Sequence, residues 1–293
     1  MKPAIVFLPA VALAALAGPA LAKEPSVEIR HAVARVAVVV EDRTEIAVEV
    51  QQGSSGLPPI RVSRSGDETR IDGGLGRRGW FGGDNIRRCS TGRGEGRAGE
   101  GASVEVRGVG RVNLADAPLI VIRTPRDVDL AASGAVFGSI GRGARSVDLG
   151  NGGCGAWDIA NVDGPLSLSI GGSGDMRAGT SSALDVSIGG SGSVSAGATR
   201  DLDVSIGGSG DVVVARLDGR MDVSIAGSGD VEVRTGNAPE VDVSIAGSGD
   251  VSFGGVAGDV DVSIMGGGNV DIARATGAVS RSIVGGGNVR IGG

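Results

Sequence analysis

Residues 202–212 read LDVSIGGSGDV, and this stretch decides the fold. Leu202, Val204 and Ile206 are apolar, while Asp203 and Ser205 between them are polar. Strict alternation is the signature of a strand with one buried and one wet face. A Gly-rich corner follows, Gly207-Gly208-Ser209-Gly210, and then a second short alternating run. The stretch recurs as LSLSIGGSGDM from Leu166, LDVSIGGSGSV from Leu184, MDVSIAGSGDV from Met221, VDVSIAGSGDV from Val241, VDVSIMGGGNV from Val260 and VSRSIVGGGNV from Val279. The aligned isoleucines are Ile170, Ile188, Ile206, Ile225, Ile245, Ile264 and Ile283, spaced by 18, 18, 19, 20, 19 and 19 residues. A fixed period near twenty means a stacked array, because one unit cannot bury its apolar face alone. No unit has a helical period, which excludes leucine-rich and other helix-containing repeats.

The expected fold is therefore all-β: a right-handed parallel β-helix, or β-solenoid, of roughly ten coils of about 18–20 residues. The handedness follows from the crossover rule for parallel strands. Stacking at about 4.8 Å puts equivalent side chains in columns. The isoleucines, the valines (Val186, Val204, Val223, Val243, Val262) and the Leu, Met or Val that opens each unit point inward. A Ser ladder (Ser187, Ser205, Ser224, Ser244, Ser263, Ser282) and an Asp ladder (Asp185, Asp203, Asp222, Asp242, Asp261) point outward. In the last unit Arg281 occupies the Val column, and charge there blunts an open sheet edge against end-to-end pairing. Upstream, Val106–Val112 and Ile122–Val128 read as irregular coils, and Ala135–Ile140, Val147–Leu149 and Ala156–Ile159 as further strands. Val27–Ile29, Val33–Val40 and Glu45–Val50 read as strands covering the first coil, and the Gly/Arg-rich Gly66–Gly101 as a long mobile loop.

The expected organisation is a signal peptide over 1–22, N-terminal strands and the Gly/Arg-rich loop over 23–104, and the solenoid over 105–293, regular from 166. The leader has Lys2, an apolar run from Ala4 to Leu16, and the small-x-small site Ala20-Leu21-Ala22. Pro3, Pro9 and Pro19 interrupt it, and it is too short for a transmembrane anchor. Cleavage leaves Lys23 first, with no Cys behind it for a lipid anchor, and no later segment is long and apolar enough to span a bilayer. The expected location is the periplasm, the cell surface or the medium.

Composition narrows the function. Gly is 55 of 293 residues, hydrophobics are 41%, aromatics are 2%, and there is no Tyr. This suits many short strands and tight turns rather than a sandwich or an α/β enzyme. From Leu166 to Gly293 there are eight Arg against fifteen acids, and an acidic, exported half argues against nucleic acid. From Arg61 to Arg111 the balance reverses, with eleven Arg against seven acids.

The repeated I-G/A-G-S-G-D-V unit behind a signal peptide resembles the bacterial family known as the auto-transporter adhesin head GIN domain. The resemblance is strongest from Leu166 to Gly293. It implies a β-helical domain of exported bacterial proteins, with no established biochemical activity and no catalytic residues to carry over. The family's name implies adhesion. No alternating membrane-barrel segments follow the repeats, so surface display would need another route.

Candidate sites are few. In an exported chain Cys89 and Cys154 read as a disulfide closing a loop of about sixty-five residues, worth roughly 3–4 kcal/mol. A zinc site is not expected, because the two Cys and the distant His31 cannot furnish four ligands. The corner acids Asp175, Asp211, Asp230 and Asp250 invite a Ca²⁺ reading, but the Asp follows the third Gly directly and Ser193, Asn269 and Asn288 replace it in three copies. Positive φ and local hydrogen bonding explain Gly, Asp and Asn at corners. No cofactor is expected, with weak Ca²⁺ binding as the minor alternative. The outward Asp ladder repels itself; solvent exposure is the ordinary remedy, and a cation surface the functional one. Trp80 and Phe81, with Arg77 and Arg78, are the exposed contact candidates in the Gly/Arg segment, whose other arginines are Arg87, Arg88, Arg93 and Arg97. Such arginines suit an acidic glycan or lipid head group. Trp157 reads as packing on the disulfide, and His31 as a surface or packing residue.

The expected function is a non-catalytic envelope or surface module, structural or adhesive, whose partner is a glycan or protein. The alternative is a periplasmic carbohydrate-active enzyme, a polysaccharide lyase or hydrolase. The discriminating feature is a cleft with two or three non-repeated polar residues near the irregular coils from Val106 to Ile159.

Overall fold

The computed structural model describes residues 24–76, 85–90 and 98–292. The leader and residues 77–84 and 91–97 lie outside them, and with these Arg77, Arg78, Trp80, Phe81, Arg93 and Arg97. Strand makes up 63% of the chain, and the described residues contain no α-helix, only a three-residue 3₁₀ turn at Leu114–Asp116. The chain winds as a β-solenoid of about nine turns, about 19 residues apart.

Alternation in each unit translates directly into register. Leu184 lies beside Leu202, which lies beside Met221, then Val241, Val260 and Val279. The second strand of each unit builds a second parallel sheet: Trp157, Met176, Val194, Val212, Val231, Val251, Val270 and Val289 stand in one column. The side chains of both columns meet in one long core, almost all of it fully buried up to the last coil. Full burial of one such aliphatic side chain is worth about 1.5–3 kcal/mol.

Corners close the coils, and their glycines have a cause that composition does not reveal. Gly208 and Gly210 have ordinary φ. A Cβ on Gly208 would sit 2.0 Å from the carbonyl oxygen of Gly190, and one on Gly210 would sit 2.3 Å from that of Gly192. Close approach of successive coils, not positive φ, excludes a side chain at both. In the Gly208 column positive φ occurs at its two ends, at Gly134 (104°) in the first coils and at Gly247 (151°), Gly266 (140°) and Gly285 (128°) in the last.

The first coil is built differently from the expectation. Ser26–Val40 is one continuous strand and a rung of the solenoid rather than a cover for it. It runs parallel to Asp127–Ile140 along most of its length, to Glu68–Asp72 at its start, and to Leu119–Thr124 at its end. The cover consists of antiparallel strands: Ala47–Gln51 on Leu119–Thr124, and Arg61–Ser65 on Glu68–Asp72. Glu68–Asp72 and Ile86–Ser90 are therefore strands inside the segment read as a loop.

The Val106–Val112 segment is also not a coil. Ile86–Ser90, Ser103–Val106 and Gly110–Asn113 form a separate antiparallel sheet. Gly108 (φ 80°) and Gly110 (φ 96°) turn the chain back on itself, whereas a coil requires it to advance. This sheet packs on the outer face of the first coils, where Val33, Ala135 and Phe137 replace the usual polar residues and form a second core with Val104, Val106, Val112 and Leu114.

Trp157 belongs to the solenoid core, whereas Cys89 and Cys154 pack against the second core. It does not cover the disulfide. Its ring fills the space left by Gly138, its register partner, where a Cβ would lie 2.4 Å from the ring. At the far end every residue of Val279–Gly285 is exposed, and Arg281 stands in register with Val262.

Candidate functional site

Two regions depart from plain packing. The first is the outward face of the first sheet. Asp185, Asp203, Asp222, Asp242 and Asp261 are register partners on successive parallel strands. The column also extends backward through Ser167 to Asp148 and Asp129, two members missed in the sequence because their units have diverged. Seven aspartates thus share one column, interrupted only by Ser167. Neighbouring charges one strand apart, about 4.8 Å, repel by about 1 kcal/mol per pair in bulk water. At the interruption the residues beside the column are small, Pro165 and Ala183, and a groove of about 500 Å³ opens there. Asp129, Asp148, Asp185 and Asp203 line it, with Arg220 at one end.

The acids around the corners have structural work. The carboxylate of Asp211 accepts the backbone N–H of Asp230 (3.2 Å), and that of Asp230 accepts the N–H of Asp250 (2.8 Å). The Asp250 carboxylate in turn accepts both the backbone and side-chain N–H of Asn269, each at 2.8 Å. These carboxylates staple the successive coils from Asp211 to Asn269, and Asn269 adds a side-chain donor to the last staple. Among the described residues no group of three or more His, Cys, Asp or Glu is arranged to hold a metal ion.

An ion pair marks the edge of the first sheet near the groove. Asp127 accepts hydrogen bonds from Arg145 and from Ser146 (2.7 Å). Burial pushes its carboxyl up, but these bonds and the nearby guanidinium charges outweigh burial and hold it below the usual carboxylate range.

The second region is a cleft of about 510 Å³ beside the Cys89–Cys154 disulfide. Its walls are the strand Ile86–Ser90 and the corners of coils two to four, with Gly134, Gly152, Gly153 and Gly172 on the floor. His31, Arg87, Arg88 and Ser133 line it. Two bulges bring them there. Arg30 and His31 together oppose Ser133, and His31 takes a left-handed backbone (φ 48°) rare for a residue with a side chain. On the other wall the register slips between Ile86 and Arg88, so two neighbouring arginines line the same cleft. The sequence marks this place through Cys89, His31 and the arginines Arg87 and Arg88, without bringing them together. Bulges leave no periodic trace.

With both regions described, comparison with known proteins finds one partial likeness. Residues 197–293 match the protein family described as putative auto-transporter adhesin, head GIN domain. The match covers 97 of the 293 residues and five of the seven near-copies, so the likeness is confined to the regular end of the solenoid. The cleft and the flanking sheet lie outside it. No curated protein matches the chain. No helix among the described residues is long and apolar enough to cross a membrane.

Proposed function

We propose that this protein is an exported, non-catalytic binding or spacing module of the cell envelope, and that its working surface is the repeated outer face of the solenoid. The observation that carries this reading is the column of seven register-matched aspartates, with a Ser column beside it from Ser169 onward. A repeated array suits a partner that is itself repeated, such as a glycan or a surface protein carrying spaced cationic groups. It does not resemble a catalytic centre, where unlike groups converge once. The GIN-type match over residues 197–293 and the leader-like N-terminus support the same reading.

The test is co-sedimentation of the purified protein with isolated envelope material from its own cells. Saturable binding is expected, weakened at least tenfold when Asp185, Asp203 and Asp222 are all changed to Asn. Absence of binding, or binding indifferent to the three changes, contradicts the proposal.

The enzyme alternative has one observation in its favour, a non-repeated cleft holding His31, Ser133 and two arginines. Among the described residues no carboxylate lines it, whereas glycoside hydrolysis ordinarily uses two. Release of reducing ends or of unsaturated products from acidic polysaccharides, abolished by His31→Asn, would favour that alternative.

A further inference from the structure

The cleft beside the disulfide has the features of a built site. The strand Ile86–Ser90 that carries its two arginines is fastened at both ends. At the start, the Asn85 side chain donates to the carbonyls of Leu75 and Gly76, both at 2.9 Å. Near the end, Cys89 is bonded to Cys154 at a corner of the solenoid. Arg87 and Arg88 lie between these two fastenings. The opposite wall is fixed as well. The His31 carbonyl accepts the Leu75 N–H (3.1 Å), the His31 N–H meets Ser133 Oγ (3.4 Å), and the imidazole lies against Gly76, where a Cβ would come within 3.2 Å of it.

Charge and size then define the ligand. Both guanidinium groups are exposed, and neither has a carboxylate partner among the described residues; Glu105, opposite Arg88 in the register, forms no ion pair with it. With no acid among the described residues of its lining, the cleft is a cationic pocket on a protein of net negative charge. Guanidinium forks match carboxylate and phosphate oxygens. A volume of about 510 Å³ is more than a bare anion needs and falls in the range of small-ligand sites. Ser133, Ser173 and the backbone of a floor of glycines offer hydroxyl partners at close range. We propose that this cleft binds an anionic sugar, one or two residues bearing a carboxylate or phosphate, with Arg87 and Arg88 holding the charge and His31 and Ser133 the hydroxyls. The site is independent of the aspartate face and of the compartment in which the protein works.

The experiment is calorimetric titration of the purified full chain, at low ionic strength, with glucuronic acid, glucose 6-phosphate and uncharged glucose. At least one charged sugar should bind tenfold or more tightly than glucose. The double variant Arg87→Gln/Arg88→Gln should lose at least tenfold while melting at the wild-type temperature, since both side chains are exposed. His31→Asn, which keeps a residue tolerant of the left-handed backbone, should weaken binding of the same sugar severalfold. Reduction of the disulfide should weaken it too, by freeing one wall. An acidic oligosaccharide that binds more tightly than its monomer identifies a polymer unit as the source; equal affinity identifies a free sugar. Equal binding of charged and neutral sugars, no binding of either, or wild-type affinity in the double arginine variant overturns the proposal.

Discussion

Consider two alanine substitutions three residues apart in one corner, Gly207→Ala and Gly210→Ala. The period alone treats both glycines as corner residues, but the geometry separates them. A Cβ on Gly207 meets nothing closer than the Ile188 carbonyl oxygen at 3.9 Å, an ordinary contact. A Cβ on Gly210 would lie 2.3 Å from the Gly192 oxygen and 2.6 Å from Ile188 Cγ2. Relief requires the two coils to part locally by about 1 Å, given an ordinary contact near 3.4 Å. That movement strains the neighbouring coil-to-coil bonds, such as Ser209 N–H to the Gly190 carbonyl (3.0 Å) and Asp230 N–H to the Asp211 carboxylate. Overpacking costs about 1–3 kcal/mol, and a buried backbone group left unpaired another 1–3. Gly210→Ala should therefore cost about 2–6 kcal/mol, a fall of roughly 10 °C in Tm at the middle of that range for a chain of this size. Gly207→Ala should be neutral or gain about 0.4–1 kcal/mol, because alanine restricts the unfolded chain. Urea unfolding followed by circular dichroism, with thermal melts alongside, reads both. Equal losses in the two variants, or a Gly210→Ala midpoint within error of wild type, would refute the close-approach explanation.

Other consequences follow from single contacts. Gly138→Ala pushes a methyl group into the Trp157 ring and should cost about 3 kcal/mol, with a matching shift in tryptophan fluorescence on melting. Asp203→Asn removes repulsion from both Asp185 and Asp222, so it should stabilise by about 1–2 kcal/mol at low ionic strength; the gain should shrink in molar salt, where screening reaches shorter than the strand spacing. Asp127 has a carboxyl lowered by its Arg145 and Ser146 bonds, so its stabilisation is complete above its ordinary pKa of 3.8 and vanishes as pH falls through the lower folded value. Asp127→Asn should therefore be less stable than wild type at neutral pH, and the two stability curves should converge in strong acid. Changing Cys89 and Cys154 together to Ser opens a link across 65 residues, an expected loss of about 4 kcal/mol. Limited proteolysis should then cut the flanking sheet before the solenoid.

Much of the solenoid was legible because its chemistry repeats. Ile206 and its equivalents, the Val column and the Asp and Ser ladders keep the same side chain at the same step, and parallel stacking turns that step into contact. Legibility fails where one pattern serves two geometries. Val104–Val106 and Val112 alternate like a coil, and only the turn at Gly108 and Gly110 makes them a hairpin. Trp157 stands three residues from Cys154, yet it points to the solenoid core because Gly138 leaves room there. Asp129 and Asp148 belong to the ladder, but their units end in Ala132 and Asn151 where the later ones have Ile. Asn151 survives in the core by donating to the Gly155 carbonyl (3.2 Å). The bulges at His31 and Arg87, each a single extra residue, carry no sequence mark at all, so the cleft between them emerged only from the fold.

The most direct test of the central claim is fractionation of intact cells with protease shaving, following the protein by antibody and sequencing its N-terminus. The account predicts a chain that begins at Lys23 and is found with the envelope, on the surface or in the medium. An unprocessed chain beginning at Met1 in the cytosol would contradict it.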